Sequence, residues 1–90
     1  MRNAARVDKN QAGIVSDLRQ LGIFVEVIGL PVDLLCYWKH TGWHLVEVKT
    51  EDGKLTKYQV EFIARSTGPV HIIRNTNEAI QAICGKEIMR

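Results

Sequence analysis

Ninety residues are enough for one small domain, and a chain this short hides only about 60–65% of the surface that it would expose unfolded. Apolar residues make up 46% of the chain, which supports one real core and excludes disorder. Twelve Lys and Arg residues against ten Asp and Glu leave a formal charge of +2 with no block of like charge, which excludes a chain built to coat nucleic acid non-specifically.

The two cysteines, Cys36 and Cys84, stand in apolar contexts with no short spacing between them, as expected of buried free thiols in a reducing compartment. The N-terminus has no apolar stretch of the signal-peptide kind. No apolar run reaches the roughly 20 residues that span a bilayer. A cytoplasmic protein with no membrane partner is expected.

Met1 to Arg6 are polar or small and are expected to be mobile. From Asp8 to about Leu21, the apolar positions Ile14, Val15, Leu18 and Leu21 recur at helical spacing, with Asp8 able to cap the start. Gly22 ends that helix. Ile23 to Ile28 predicts a first strand, broken at Gly29-Leu30-Pro31. Val32 to Trp38 and Trp43 to Lys49 predict two more, joined by a tight turn at residues 39–42. Both of these strands are apolar on both faces, which predicts a central place in a sheet covered on each side. After a turn at Glu51-Asp52-Gly53, Thr56 starts a second helix carried by Tyr58, Phe62 and Ile63. A fourth strand at Val70 to Arg74 follows, and Asn75 or Thr76 caps a last helix closed by Gly85. The predicted class is α/β, an αβββαβ core plus a final helix, with a mixed central sheet flanked by helices.

A few charges interrupt these apolar strands. Alternation puts Glu47 and Lys49 on one face of the third strand, roughly 7 Å apart. With the hairpin turn near His40 and Thr41, Asp33 at the start of the second strand falls opposite Glu47 to Lys49, within one position. Two carboxylates held close repel each other unless a divalent cation lies between them, and hard oxygen ligands suit Mg²⁺ or Mn²⁺. Such a cation acidifies a bound water and neutralises charge on a scissile phosphate. A neighbouring ammonium orients that water or stabilises the developing charge. The main-chain carbonyl of Val48, between the two side chains, is a further candidate ligand.

Asp33 followed fourteen residues later by Glu47-Val48-Lys49 resembles the motif of the PD-(D/E)XK nuclease superfamily. The wider pattern is similar to its virus-type replication-repair nuclease (VRR-NUC) branch. The matching stretches are residues 6–11, Ile14-Val15 with Leu18-Arg19, the Gly-Leu-Pro-Val-Asp-Leu-Leu run at 29–35, and Gly53-Lys54-Leu55-Thr56 leading to Gln59. The resemblance covers the chain from Arg6 to about Cys84. It implies a restriction-endonuclease-like fold and a divalent-metal endonuclease of DNA repair, recombination or phage replication. It also implies a homodimer that cleaves branched DNA, four-way junctions included. Carried over, Asp33 and Glu47 become metal ligands, Lys49 the catalytic lysine and Gln59 the auxiliary polar residue. Mg²⁺ is the implied cofactor, with Mn²⁺ able to substitute.

Two departures from the family pattern stand out. Val32 intervenes where the motif usually reads Pro-Asp. Many relatives also carry a metal-associated Glu in the first helix, where this chain offers Gln11, a candidate further ligand, or Asp17 elsewhere on the helix.

Competing structural roles are visible in the same residues. Thr56-Lys57-Tyr58-Gln59 has the form of a helix capping box, a use compatible with a site role for Gln59. Cys36, His40 and His44 are spaced by four, but the strand-turn-strand pattern denies them a common helix face and with it a zinc site. His71 is expected to be a satisfied, partly buried residue, and Trp38 and Trp43 are placed to pair across the hairpin. Arg6, Lys9, Lys54 and Lys57 are candidates for phosphate contacts around the acidic centre. Besides the nuclease, two other classes fit the chain: a catalytically silent DNA-binding module that keeps the nuclease fold, and a small protein–protein interaction domain.

Overall fold

The computed structural model describes residues 8–85. The segment 1–6 and the expected phosphate contact Arg6 lie outside that range.

The first helix, α1, spans Gln11–Gln20 and turns Ile14, Val15 and Leu18 inward. It ends in a Schellman motif: the Gly22 amide donates to the Arg19 carbonyl at 3.0 Å and the Ile23 amide to the Leu18 carbonyl at 3.1 Å. Gly22 has φ 88°, which a residue with a Cβ resists, and the flanking Leu18 and Ile23 are both in the core. Asp8 does not cap this helix, contrary to expectation. Asn10 holds the N-cap position without a side-chain cap, and the Asp8 carboxylate instead accepts from the Thr50 amide at 2.8 Å.

Strands β1 (Phe24–Val27), β2 (Leu34–Trp38) and β3 (Gly42–Val48) form an antiparallel meander. Helix α2 (Lys57–Arg65) then carries the chain to β4 (Val70–Ile73), which pairs with β3 in parallel. The last helix, α3, spans Thr76–Cys84, with the Asn75 side chain accepting from the Glu78 amide at 2.8 Å. The sheet order is β1-β2-β3-β4, so the two apolar strands are central, and the architecture is a small α/β unit with one mixed sheet and three helices.

One face of the sheet packs Val25, Leu34, Cys36, Val46, Val48 and Ile73 against Ile14, Val15 and Leu18 of α1 and Ala79 and Ile83 of α3. The other face is not covered as predicted. Phe24, Tyr37, Trp43 and Ile72 all remain exposed, Trp43 at 63%. Helix α2 buries only Gln59, and Tyr58, expected to carry the helix into the core, is exposed. The tryptophans do not pair either, because the register sets Tyr37 opposite Trp43 and Trp38 opposite Gly42. Trp43 instead packs on Tyr37 and Phe24, at centroid distances of 4.9 and 6.1 Å. Trp38 lies against the core and beside His40. Cys36 and Cys84 are both buried, and burial pushes the Cys36 thiol up to about 11. Among the described residues no helix is long and apolar enough to cross a membrane.

On the core face His44 and His71 form a chain with Thr41. His44 Nδ1 lies 3.2 Å from His71 Nε2, His44 Nε2 lies 2.7 Å from the Thr41 hydroxyl, and that hydroxyl donates to the Ile83 carbonyl at 2.7 Å. Because the hydroxyl proton goes to Ile83, His44 Nε2 donates to Thr41 and His44 Nδ1 accepts from His71. Partial burial holds both imidazoles below the 6.5 of a free side chain, and the neighbouring His71 adds to the effect at His44. The unfolded chain then binds more protons than the folded one as pH falls past 6.5, so stability drops with acid. The raised Glu47 carboxyl works the other way, so the check is a comparison: between about pH 7 and about pH 5 acid should cost His71→Gln less melting temperature than it costs the unaltered chain. Parallel profiles for the two chains would contradict this.

Candidate active site

Asp33 stands one residue before β2 rather than inside it. The register, Leu35 opposite Leu45 and Leu34 opposite Val46, continues to Asp33 opposite Glu47. Here β2 leaves β3, and side chains replace the ladder. The Val48 amide donates to Asp33 Oδ2 at 2.9 Å, and the Asp33 amide donates to Glu47 Oε1 at 3.2 Å. The Asp33 carbonyl accepts from the amides of Ile28 and Gly29, which ties the end of β1 to the same point.

Glu47 is only 1% exposed. Its Oε2 accepts from Gln59 Nε2 and lies 3.3 Å from Lys49 Nζ. Lys49 follows the last residue of β3 and is itself buried, its amide donating to the Ile73 carbonyl at 2.9 Å. Burial pushes the Glu47 carboxyl above the usual range, the charge of Asp33 pushes it further, and Lys49 pulls it back. The centre thus joins two carboxylates, one deeply buried, with a single ammonium: Asp33, Glu47 and Lys49 converge.

Gln59 serves two purposes at once. Its Oε1 accepts from the Thr56 amide at 2.9 Å while its own amide donates to the Thr56 hydroxyl at 3.1 Å, a complete capping box. Its Nε2 meanwhile reaches Glu47, which joins the start of α2 to β3. Gln59→Ala removes both, with an expected cost of about 1–3 kcal/mol in chemical unfolding. Gln59→Glu keeps the capping geometry but sets a third carboxylate on Glu47. It should cost more than Gln59→Ala at neutral pH, and less would contradict the proposed contact.

The remaining predicted residues are more dispersed. Gln11 is buried at the start of α1 and its Oε1 has no hydrogen-bond partner. The neighbouring Asn10 anchors this helix end to the ends of β3 and β4, its Nδ2 donating to the carbonyls of Lys49 at 3.1 Å and Arg74 at 2.9 Å. Asp17 is exposed and accepts from the Thr76 hydroxyl at 2.6 Å, away from the carboxylate pair. Lys9, Lys54 and Lys57 are exposed.

Among the described residues no three His, Cys, Asp or Glu side chains converge to hold a metal ion. The oxygen donors that adjoin one another are the carboxylates of Asp33 and Glu47, while Gln11 holds an unpartnered amide oxygen at the start of α1. That set is hard and oxygen-only. It fits Mg²⁺, which keeps several waters and needs only one or two carboxylates. Asp8, Asn10 and Arg74, which secure the chain on either side of Lys49, were not signalled by the sequence, since their bonds go to backbone groups distant along the chain. No family model, curated protein or solved structure matches this chain. Fold and site define a class no narrower than a small mixed-sheet α/β protein with a buried carboxylate–lysine centre.

Proposed function

We propose that the chain is a divalent-metal-dependent DNA endonuclease of restriction-endonuclease-like fold that hydrolyses phosphodiester bonds in branched DNA as a homodimer. The observation that carries this is the buried Glu47 carboxylate, adjoining Asp33 and within 3.3 Å of the Lys49 ammonium, at one end of two central strands. Nothing in the core calls for a charge there, and burying the Glu47 carboxylate beside half-buried Asp33 with a single lysine costs stability that a structural role does not recover. Asp33 and Glu47 would hold Mg²⁺, with the Val48 carbonyl and Gln11 as supplementary oxygens. The bound cation supplies an acidified water and neutralises charge on the phosphate. The Val48 amide holds Asp33 in place and Gln59 holds Glu47. Lys49 donates to the water or to a phosphate oxygen. Exposed Lys9, Lys54 and Lys57 would meet flanking phosphates. The dimer belongs to the same proposal, since a symmetric junction offers two equivalent cuts.

The test is incubation of the purified chain with labelled linear, flapped and four-way-junction DNA, with Mg²⁺, with Mn²⁺ and with chelator. Cleavage that chelator abolishes is expected. One observation favours a second possibility, a catalytically silent DNA-binding module: the first helix supplies neutral Gln11 where an acid is usual. Binding of junction DNA without cutting in either metal would select it.

A further inference from the structure

Lys49 and Gln59 meet the same oxygen of Glu47, and the chain between them runs through the loop of residues 50–56. That loop contains no helix or strand, and most of its residues are exposed. It has little core of its own to hold its shape. Its hold comes from outside, chiefly from Arg74, the first residue after β4.

A single guanidinium nitrogen, Arg74 Nη1, donates to the carbonyls of Thr50, Glu51 (3.2 Å) and Gly53 (3.0 Å). Three carbonyls within four residues face one point only if the chain curls round it. The cation therefore selects the curl, through bonds that a charge makes stronger than neutral ones. The turn is tight: a Cβ on Gly53 would lie 3.1 Å from the Thr50 hydroxyl and 3.3 Å from its amide. Arg74 is itself fixed, its amide donating to Glu78 at 2.8 Å and its carbonyl accepting from Asn10.

We propose that Arg74 is a positioning residue for the carboxylate–lysine centre, setting the 50–56 loop so that Lys49 and Gln59 both arrive at Glu47. Arg74 touches none of the proposed reacting groups and acts through the loop alone. Its effect on cleavage rests on the nuclease proposal; its effect on the loop does not.

The test compares Arg74→Met and Arg74→Lys with the unaltered chain by nuclear magnetic resonance and by cleavage kinetics. The Gly53 amide, which donates to the Thr50 carbonyl at 3.0 Å, reports the curl. The Gln59 side-chain amide reports the contact with Glu47. In Arg74→Met the Gly53 amide is expected to exchange at least about tenfold faster and the Gln59 amide to move toward its solvent position. Turnover should fall about tenfold to a hundredfold with KM unchanged. Arg74→Lys, whose ammonium can serve the same carbonyls, should restore most of both. Unchanged Gly53 and Gln59 signals in Arg74→Met overturn the proposal, as does a loosened loop with unaltered turnover. If the unaltered chain cuts no DNA, the nuclease proposal fails and the two amides alone decide the role of Arg74. If Arg74→Met does not fold, the unaltered chain decides: a resolved, slowly exchanging Arg74 Nη signal in contact with Gly53 supports the proposal, and a freely averaging one overturns it.

Discussion

Replacing Glu47 by Gln is expected to lower metal-dependent cleavage by at least about a thousandfold while leaving the chain folded. The loss follows from the proposed chemistry: without the charge, the hard cation keeps one carboxylate of two, and about 4 kcal/mol of transition-state stabilisation is a modest share of what a bound divalent ion supplies. The survival of the fold follows from the environment. The folded chain holds the Glu47 carboxyl above its ordinary range, so its ionised form opposes folding at neutral pH. A neutral amide of the same shape removes that opposition, and its one oxygen still accepts from either the Asp33 amide or Gln59, the loss of the other bond offsetting part of the gain. The melting temperature should therefore stay within a few degrees. Lys49→Met should show comparable loss of turnover with a larger fall in stability, because it leaves a buried carboxylate without its nearest cation. Wild-type rates in either variant, measured on the best-cut DNA, would remove the centre from the reaction.

The second large effect belongs to the core beneath the site. Leu34 is fully buried, opposite Val46 on β3 and Val27 on β1, and it immediately follows Asp33. Leu34→Ala should cost about 2–5 kcal/mol, the transfer of the lost methyl groups plus the cavity that they leave. Small domains have only about 5–15 kcal/mol in total. The variant is thus expected to lose a large share of its stability, seen as a lower urea midpoint at unchanged slope. Cleavage should weaken as well, since Asp33 is held in place through the strand that Leu34 anchors. A cost under about 1 kcal/mol would show that the β2–β3 register does not depend on this side chain.

Much of this molecule was legible along the chain because the signals were local. Gly22 after a 3.6-residue repeat gives the end of α1, and Thr56 with Gln59 spells out the cap of α2. Apolar runs bounded by turns mark four strands, and the turn after Trp38 sets the offset that brings Asp33 opposite Glu47. Period-2 alternation then places Glu47 and Lys49 on one side. Each of these depends on residues within a few positions, or on a hairpin whose register one turn determines. Three matters were settled only by tertiary structure. Which face of the sheet the helices cover left Tyr37 and Trp43 in solvent, although their strands read as apolar on both sides. Asp8 gave its carboxylate to Thr50 instead of its own helix, because the end of β3 presented a donor that no nearby residue satisfied. Arg74 closed on three carbonyls more than twenty residues away in sequence. Backbone groups are the same at every position, so partners of that kind leave no mark in residue type and exist only once the chain has brought them together.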